Sequence, residues 1–358
     1  MGGRRALALM VGAAACGLLA AGCGGDGSDG NEAVNGAVPI TVTLPFGDSI
    51  LWAGYEISRG KDGPYEVDYA LRPETRGAEG RSFALQALLA GEVDFAVTGP
   101  VELMIASARG QDALGIAAVT DDVVTVAATR ASGTRSIEDL DRKVIGVAGL
   151  SGDAVPVLVA ALWHAGIDRG GVEIRVLGVG KEAQRALRRG EVAAYVGTIG
   201  QLVLLERTGI ELRSILDDRF AGLPADYLAI RPELAEDDGA LDRAIDLMKG
   251  WYEGTLYGQE FPRDGLRRIC GVVADACQDR SLARAFLDRS LAAGSRAART
   301  CGGRDLEALS TVQEIAALEA PEVADVDPVD VFVDDYTERM CPDPAVVEAF
   351  ADRAGGSG

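Results

Sequence analysis

One ten-residue pattern occurs twice in the chain and constrains the fold more than any other feature. It begins at Ala84 and again at Ala183, 99 residues later, and reads Ala-x-x-Ala-Leu-x-x-Gly-Glu-Val in both places. In each copy a helical pattern ends at a glycine, which suits the left-handed residue after a helix, and an apolar strand follows. The repetition predicts two lobes of one design, and we interpret the glycines as helix ends without a ligand role.

Strand and helix patterns alternate through the first part of the chain. The predicted strands are residues 40–44, 65–71, 93–98 and 114–119, and the predicted helices between them are residues 49–58, 82–90 and 101–109. Asp48 or Ser49 is the expected N-cap of the first helix. Strands that alternate with helices of about ten residues predict an α/β protein with doubly wound, largely parallel sheets. From Pro232 onward the patterns are helical, and we interpret residues 233–256, 280–293 and 306–318 as helices that cover the lobes.

Length and charge limit the classes of function. The chain has 358 residues, 35 of them basic and 55 acidic, for a formal net charge of −20. Single hydrophobic cores stop growing near about 250–300 residues, so two lobes or two domains are expected. The excess of acid excludes a nucleic-acid binder that works through a basic surface. We therefore expect no nucleic-acid partner.

The N-terminal segment has the features of an export signal. Arg4 and Arg5 precede an uncharged stretch that is too short to span a membrane, and the stretch closes with Leu-Ala-Ala-Gly-Cys at Cys23. This closing sequence resembles the lipobox of bacterial lipoproteins. It implies that residues 1–22 are a signal peptide, that Cys23 carries a lipid and that residues 23–37 are a flexible tether. The competing interpretation is a secretory signal followed by a cysteine that has no lipid. Either way the protein is expected outside the cytoplasm, and with the lipid it is anchored to the cell membrane.

Four cysteines remain beyond the leader, in an oxidising compartment where disulfides form. They are Cys270, Cys277, Cys301 and Cys341, which allow three pairings. On one unbroken helix the first two would lie about 10 Å apart, too far for a disulfide, so Gly271 marks a break or each cysteine pairs elsewhere. We favour pairing Cys270 with Cys277 and Cys301 with Cys341. A zinc site is the alternative, although the spacing is unsuitable and His164 is distant in sequence.

Three motifs, taken in order, resemble a known family. They are Gly91–Pro100 (Gly-Glu-Val-Asp-Phe-Ala-Val-Thr-Gly-Pro), Ile137–Leu140 leading into Lys143–Val147, and Gly222–Pro224 before Asp226–Ala229. Together they are similar to the nitrate/sulfonate/taurine and thiamine-precursor binding proteins of ABC importers, and the likeness covers about residues 38–340. The chain departs from this family in the second repeat. The family often has an aspartate after the second Gly-Glu-Val, and here Ala193 and Ala194 follow it. The departure weakens the transfer of ligand contacts in the second lobe.

The resemblance implies a type II periplasmic-binding-protein fold, in which two α/β lobes joined by two crossovers hold a ligand between them. We expect lobe 1 to comprise residues 38–126 and 227–350, including the C-terminal helices, and lobe 2 to comprise residues 127–226. The crossovers, and with them the hinge, are expected at residues 123–127 and 227–230. The implied protein is a monomer that captures a small polar organic solute, passes it to an ABC permease and needs no cofactor or metal. The alternatives are a ligand sensor without transport and an extracytoplasmic enzyme on the same fold.

The candidate ligand residues follow the predicted strands, because ligands of open α/β sheets bind at the carboxyl ends of strands. They are Phe46, Asp48, Ser49, Trp52, Thr98, Gly99, Thr120, Asp121, Ser151, Gly152, Asp153, Gly197 and Thr198. Helix N-termini at Ser49 and Ser151 suit a sulfonate or carboxylate. The acids Asp48, Asp121 and Asp153 favour an ammonium group or a protonated heterocycle, unless they are helix caps.

Two further residues have alternative interpretations. Trp52 stacks on a flat solute or, as we favour, packs its helix onto the sheet. His164 lies on an amphipathic helix and is interpreted as a packed or surface residue rather than a catalytic base.

Overall fold

The strands of the computed structural model form two five-stranded sheets. The description covers residues 37–121, 123–150, 154–318 and 320–355. In spatial order the first sheet contains β2 (Leu71–Ala78), β1 (Val38–Pro45), β3 (Phe95–Thr98), β10 (Pro224–Ile230) and β4 (Leu114–Asp121). The second sheet contains β7 (Glu173–Val176), β6 (Val144–Val147), β8 (Ala194–Thr198), β5 (Val124–Ala128) and β9 (Arg213–Ser214).

The two sheets follow one plan. In the first, β1 is parallel to β2 and β3, while β10 runs antiparallel to β3 and β4. In the second, β6 is parallel to β7 and β8, while β5 runs antiparallel to β8 and β9. In both sheets the antiparallel strand, β5 or β10, is therefore formed by a segment that has just crossed from the other sheet. The predicted α/β fold with two lobes of similar design is confirmed.

The chain passes between the sheets twice. The first passage follows Asp121 at the end of β4, because β5 begins at Val124 in the second sheet. The second passage precedes Pro224, where β10 begins in the first sheet. The second sheet is entered at Val124 and the first sheet is entered again at Pro224, each three residues before the predicted lobe boundaries at 127 and 227. The apolar runs that were predicted as connectors have strand partners, so they lie inside the sheets.

The helices connect these strands and then extend beyond them. Those between the strands are α1 (Ala53–Arg59), α2 (Pro64–Val67), α3 (Arg81–Leu89), α4 (Pro100–Ala108), α5 (Ala154–His164), α6 (Lys181–Arg189) and α7 (Ile199–Glu206). Those after β10 are α8 (Pro232–Ala235), α9 (Asp238–Glu260), α10 (Pro262–Val272), α11 (Arg280–Arg299), α12 (Leu306–Ala317), α13 (Pro328–Val331), α14 (Thr337–Met340) and α15 (Pro344–Gly355). Within the described ranges, none of the helices is both long and apolar enough to span a membrane.

One predicted strand is wrong. Residues 65–71 were expected to form the second strand, but Pro64–Val67 is the short helix α2 and the strand begins at Leu71. Pro64 occupies the first helical position, where its fixed φ angle and missing N–H favour a helix start. The misplacement shifts the loop after β2 to residues 79–80, immediately before α3.

The repeated glycines end helices, as the sequence pattern predicts. Gly190 is the C-cap of α6 with a φ of 64°, and Gly91 follows α3 with a φ of 74°. Both angles lie in the left-handed region, where a side chain is strained. Each glycine thus lets the chain turn from a helix into the next strand of its sheet.

Close helix packing fixes the segment that follows β1. Gly54 on α1 faces Gly254 on α9, and a Cβ atom at Gly254 would lie 2.1 Å from the Gly54 carbonyl oxygen. Trp52 and Tyr55 pack against Trp251 of α9, with ring centroids 6.2 and 5.1 Å from it. The long helix α9 therefore holds α1, and with it the loop at residues 46–49, against the first sheet.

Both favoured disulfides are present. Cys270 and Cys277 are bonded, with their Cα atoms 5.5 Å apart, because α10 ends at Val272 and a 3-10 turn follows over Ala274–Cys277. The break lies after the helix rather than at Gly271. Cys301 is bonded to Cys341 and joins the loop after α11 to the end of α14.

The acidic stretch at residues 322–335 is attached to the first sheet by an aromatic side chain. Phe332 within it is fully buried and forms a β-bridge with Gly115 at the edge of the first sheet. Its ring packs on Tyr227, with the ring centroids 4.7 Å apart. The run is therefore anchored to the sheet, while acids such as Asp330 and Asp335 remain exposed.

Candidate functional site

A cavity of about 290 Å³ lies between the two sheets. Its walls come from the first lobe (Arg81, Gly99, Glu102, Ile105), from the passages (Val123, Leu223, Pro224), from the second lobe (Val124, Pro156, Val157, Phe220) and from α12 (Val312, Ile315, Ala316). We call it the interlobe cavity. Its walls are mostly apolar, and among the described lining residues Arg81 and Glu102 carry charge. Apolar walls with a few polar groups are typical of sites for small organic molecules.

A buried carboxylate orients the arginine of this cavity. Arg81, the first residue of α3, donates from Nε to Oδ1 of Asp226 over 2.7 Å. Thr120 donates its hydroxyl to the other oxygen of Asp226 over 2.5 Å. Asp226 lies on β10 and is 2% exposed. The two strands β4 and β10 thus fix the guanidinium at the cavity wall by charge-assisted hydrogen bonds.

The end of β3 brings the two charged side chains close together. A Cβ atom at Gly99 would lie 2.2 Å from Oε2 of Glu102 and 2.9 Å from Cδ of Arg81. A side chain at position 99 would displace these two groups. Gly99 lines the cavity, and among the predicted ligand residues that the structure describes it is the one in the cavity wall. Its neighbour Thr98 is fully buried and donates its hydroxyl to the Arg81 carbonyl oxygen over 3.1 Å, which supports the start of α3.

Two other predicted residues of the first lobe lie behind or beside the cavity. Thr120 is 6% exposed and serves as the partner of Asp226 described above. Asp121 is also 6% exposed and lines a separate cavity together with Tyr227. Thr120 therefore acts on the interlobe cavity only through Asp226 and Arg81.

The loop after β1 is organised by an arginine that the sequence reasoning missed. Arg59 forms ion pairs with Asp48 and Glu56, each at 2.8 Å. Asp48 therefore faces a cation of the protein itself. Ser49 caps the 3-10 turn over Ile50–Trp52 by accepting a hydrogen bond from the Leu51 N–H over 3.2 Å. Both side chains thus fix the local backbone in this structure.

The two aromatic residues of this segment have opposite environments. Phe46 is 73% exposed and has a φ of 66°. Trp52 is 5% exposed, donates its indole N–H to the Pro45 carbonyl oxygen over 3.1 Å and packs edge-on against Trp251. The structure thus has Trp52 in the packing arrangement, whereas Phe46 is open to solvent.

The predicted residues of the second lobe divide into two groups. Thr198 is the N-cap of α7 and forms a capping box with Gln201, while Gln201 also fills the space beside Gly197. Their described contacts are those of a helix start. Ser151, Gly152 and Asp153 lie outside the described residues.

His164 lies at the second lobe's surface rather than in the cavity wall. Its Nδ1 atom is 3.1 Å from the Arg219 guanidinium, and its Nε2 atom is 3.4 Å from Glu314. Within the part of the chain that the structure describes, no cluster of histidine, cysteine or acidic side chains could hold a metal ion.

Helix α11 contacts both lobes. On the first-lobe side, Ser290 donates its hydroxyl to the Leu51 carbonyl oxygen over 2.6 Å. On the second-lobe side, Arg289 pairs with Glu206 of α7 at 2.8 Å, and Asp279 before the helix pairs with Arg207 at 2.8 Å. These ion pairs join the lobes in the conformation that encloses the cavity.

Reversing the charge of Arg289 should loosen this connection. We expect Arg289→Glu to increase the distance between the lobes in small-angle X-ray scattering of the unliganded protein, because glutamate at this position faces Glu206. The loss of unfolding free energy should be small, about 1 kcal/mol, since the pair is partly exposed. The double variant Arg289→Glu/Glu206→Arg should restore the wild-type scattering. An unchanged profile in the single variant would show that the ion pairs do not hold the lobes together.

Solved structures share this arrangement over most of the chain. The periplasmic aliphatic sulphonate binding protein SsuA from Escherichia coli is 16% identical, with a TM-score of 0.61, over 82% of this chain and 95% of that protein. The alkanesulfonate-binding protein SsuA from Xanthomonas axonopodis pv. citri, bound to MOPS, is 17% identical, with a TM-score of 0.55, over 84% and 98%. A Candida albicans protein described as having the generic periplasmic binding protein structural fold is 14% identical, with a TM-score of 0.50, over 88% and 95%. At these identities the likeness establishes the fold, which is that of the periplasmic binding proteins.

The sequence itself matches one family model. Residues 76–233 match the model described as NMT1/THI5 like. This segment runs from the end of β2 through the whole second sheet to the start of α8, so it contains most of the interlobe cavity. No curated protein gives a significant match. The family resemblance drawn from the three motifs is confirmed for this segment, which matches the NMT1/THI5-like model.

Proposed function

We propose that the chain is the extracytoplasmic solute-binding protein of an ABC importer. It captures a small polar organic solute in the interlobe cavity and delivers it unaltered to the permease, with Cys23 holding it at the membrane through a lipid. The observation that carries this proposal is the cavity itself, whose walls come from both lobes and from the passages that join them. A solute there contacts both lobes at once, so it favours the closed conformation. The names of the similar structures, which are sulfonate-binding proteins, support the same role.

The walls of the cavity support two chemical classes of solute. The guanidinium of Arg81, held by Asp226, suits a sulfonate or carboxylate head group, with an aliphatic body against Val124, Val157 and Phe220. The carboxylate of Glu102 suits an ammonium group or an aminopyrimidine ring. We therefore propose a sulfonate- or taurine-like solute or a thiamine-pyrimidine-like solute. The volume of about 290 Å³ limits either class to a small molecule.

Filling the cavity tests this proposal. In a thermal-shift screen of alkanesulfonates, taurine and aminopyrimidines, a solute at 100 times its Kd should stabilise the wild type by about 2.7 kcal/mol. Val157→Trp should abolish this stabilisation, because Val157 lies in the cavity wall and is only partly buried. The unliganded melting temperature should change little.

Val176→Trp is the matched control. Val176 lies on the edge strand β7 of the same lobe, is 51% exposed and does not line the cavity. This variant should keep the wild-type response. A solute that stabilises Val157→Trp as well as the wild type would contradict binding in the interlobe cavity.

A further inference from the structure

A second cavity lies beside the passages between the lobes. It has a volume of about 410 Å³, and we call it the hinge pocket; its polar walls are Asp121, Tyr227, Arg296, Arg304 and Asp305. It also touches Gly222 and Pro224 of the second passage. The proposed function uses none of these five polar side chains.

The outer wall of the hinge pocket is held in place by covalent and backbone contacts. The Ala118 N–H on β4 donates to the Gly302 carbonyl oxygen over 2.9 Å, so the loop after α11 pairs with the edge of the first sheet. The disulfide between Cys301 and Cys341 fixes the same loop. Arg304 and Asp305 follow directly in the chain. The charged groups of the pocket are thus positioned before any ligand arrives.

Tyr227 presents a hydroxyl whose hydrogen-bonding capacity is unmet. The residue is 2% exposed and, among the described residues, its hydroxyl has no hydrogen-bond partner. Its backbone pairs with Thr98 and Ala118, and its ring packs on Phe332. A buried hydroxyl without a partner is destabilising and rare in folded proteins, so such a group calls for an explanation. A bound ligand that accepts its hydrogen bond supplies one.

The four charged side chains of the pocket line it together with Tyr227. Burial is the main cause of the raised pKa of Tyr227; Asp121 and Asp305 raise that pKa further, and Arg304 and Arg296 lower it. A ligand group that binds the Tyr227 hydroxyl would lie in the pocket that all four side chains line.

The hydrogen-bonding groups of the pocket that still lack a partner are donors. Among the described residues, Nε of Arg304 has no hydrogen-bond partner, whereas Nη1 donates to the Phe332 carbonyl oxygen over 2.5 Å and Nη2 pairs with Asp334 at 3.2 Å. A guanidinium group can only donate. The carboxylate of Asp305 is already engaged, because it pairs with Arg296 at 2.5 Å and accepts from the Ala308 N–H over 3.0 Å. A ligand that offers acceptor oxygens matches what is left.

We propose that the hinge pocket is a second binding site, which holds the carboxylate or sulfonate group of a small monoanion through Tyr227, Arg304 and Arg296. Two arginines and two aspartates line the pocket, and Asp334, which does not line it, pairs with Arg304 at 3.2 Å, so the pocket has no excess of positive charge. One negative charge is accommodated by the donors, whereas a dianion such as sulfate meets the repulsion of Asp121 and Asp305 without a matching excess of cations. The ligand would lie between the passages and the disulfide-bonded loop.

Isothermal titration calorimetry of the full chain tests this proposal with acetate, methanesulfonate and sulfate as probes. We expect acetate or methanesulfonate to bind more tightly than sulfate. Tyr227→Phe should weaken that binding at least about tenfold, because it removes one hydrogen bond to a charged group. Its unliganded melting temperature should not fall, since the hydroxyl that it removes has no described partner.

Tyr65→Phe is the matched control for a buried tyrosine. The Tyr65 hydroxyl donates to the Leu247 carbonyl oxygen over 3.0 Å, far from this pocket in sequence, so this variant should lose stability and keep the anion affinity. Val157→Trp, which fills the interlobe cavity, should keep the part of the binding that Tyr227→Phe removes, and this separates the two sites. Equal affinity in Tyr227→Phe, loss of the Tyr227-dependent binding in Val157→Trp, tighter binding of sulfate, or no binding of either monoanion to the wild type would each overturn the proposal.

Discussion

Replacing Asp226 by alanine is expected to lower the free energy of unfolding by about 3 kcal/mol, as measured by urea denaturation. The carboxylate is 2% exposed and accepts hydrogen bonds from Arg81 and Thr120. Removing it leaves the Arg81 guanidinium partly buried without this counter-ion, and breaking a buried pair typically costs about 3–5 kcal/mol. The lower end of that range applies, because the Arg81 side chain keeps 20% exposure.

The same substitution should also reduce solute binding, since Arg81 would no longer be held at the cavity wall. A double-mutant cycle of Asp226 and Arg81 tests whether the lost stability comes from the pair between them. Arg81→Met in the Asp226→Ala background should cost little more, because the partner is already lost. Asp242→Ala removes an exposed ion pair with Arg339 and should cost less than about 1 kcal/mol. If Asp226→Ala were as mild as Asp242→Ala, the buried network would not position Arg81.

Glu253→Gln is expected to stabilise the protein by up to about 3 kcal/mol at pH 8 and to have little effect at pH 4. Glu253 on α9 is fully buried, and burial raises its pKa from 4.5 to about 7. One carboxylate oxygen accepts from the Tyr69 hydroxyl over 2.5 Å and from the Asp343 N–H over 3.0 Å. The other oxygen is buried without a hydrogen-bond partner among the described residues. Glutamine keeps the first acceptor and removes the buried charge.

The sign of the pH dependence follows from the raised pKa. Between pH 4.5 and about 7 the folded protein binds a proton at Glu253 that the unfolded chain has released, so this contribution to stability is complete below pH 4.5 and is lost as the pH rises through 7. Glu56 contributes to the pH dependence of stability with the same sign, because burial raises its pKa to about 7 despite the ion pair with Arg59.

Thermal denaturation of the wild type and of Glu253→Gln between pH 4 and pH 8 checks this prediction. The wild type should lose stability across the interval, and the variant should lose less. Glu338→Gln, at an exposed position on α14, is the control and should follow the wild type. Parallel curves for the wild type and Glu253→Gln would show that Glu253 titrates near its ordinary value.

Most of the fold could be predicted because it depends on local patterns. The repeat at Ala84 and Ala183 showed two lobes of one design, and its glycines end helices as expected. The number of cysteines left three disulfide pairings open, and the favoured pairing of Cys270 with Cys277 required a break in the helix, which the structure has after Val272. Each of these features is determined by residues close in sequence or by simple geometry.

The charged groups of the cavity could not be predicted in the same way. Placing a strand at residues 65–71 hid the loop before α3, so Arg81 was not recognised as a residue that follows a strand. The ion pair between Asp48 and Arg59 and the bond from Arg81 to Asp226 join residues that periodicity does not relate. The charged residues predicted for the site were therefore all acidic, whereas the folded chain also places Arg59 beside Asp48 and Arg81 in the cavity wall.

Native mass spectrometry tests the central claim most directly. The protein, exposed to a small-molecule extract of the cells that produce it, should carry one non-covalent solute per chain. Unfolding should release that solute with an unaltered mass, and Val157→Trp should carry none while Val176→Trp carries the same molecule as the wild type. A released compound that differs in mass from the one captured, or a solute retained equally by Val157→Trp, would contradict a protein that binds its ligand between two lobes and releases it unchanged.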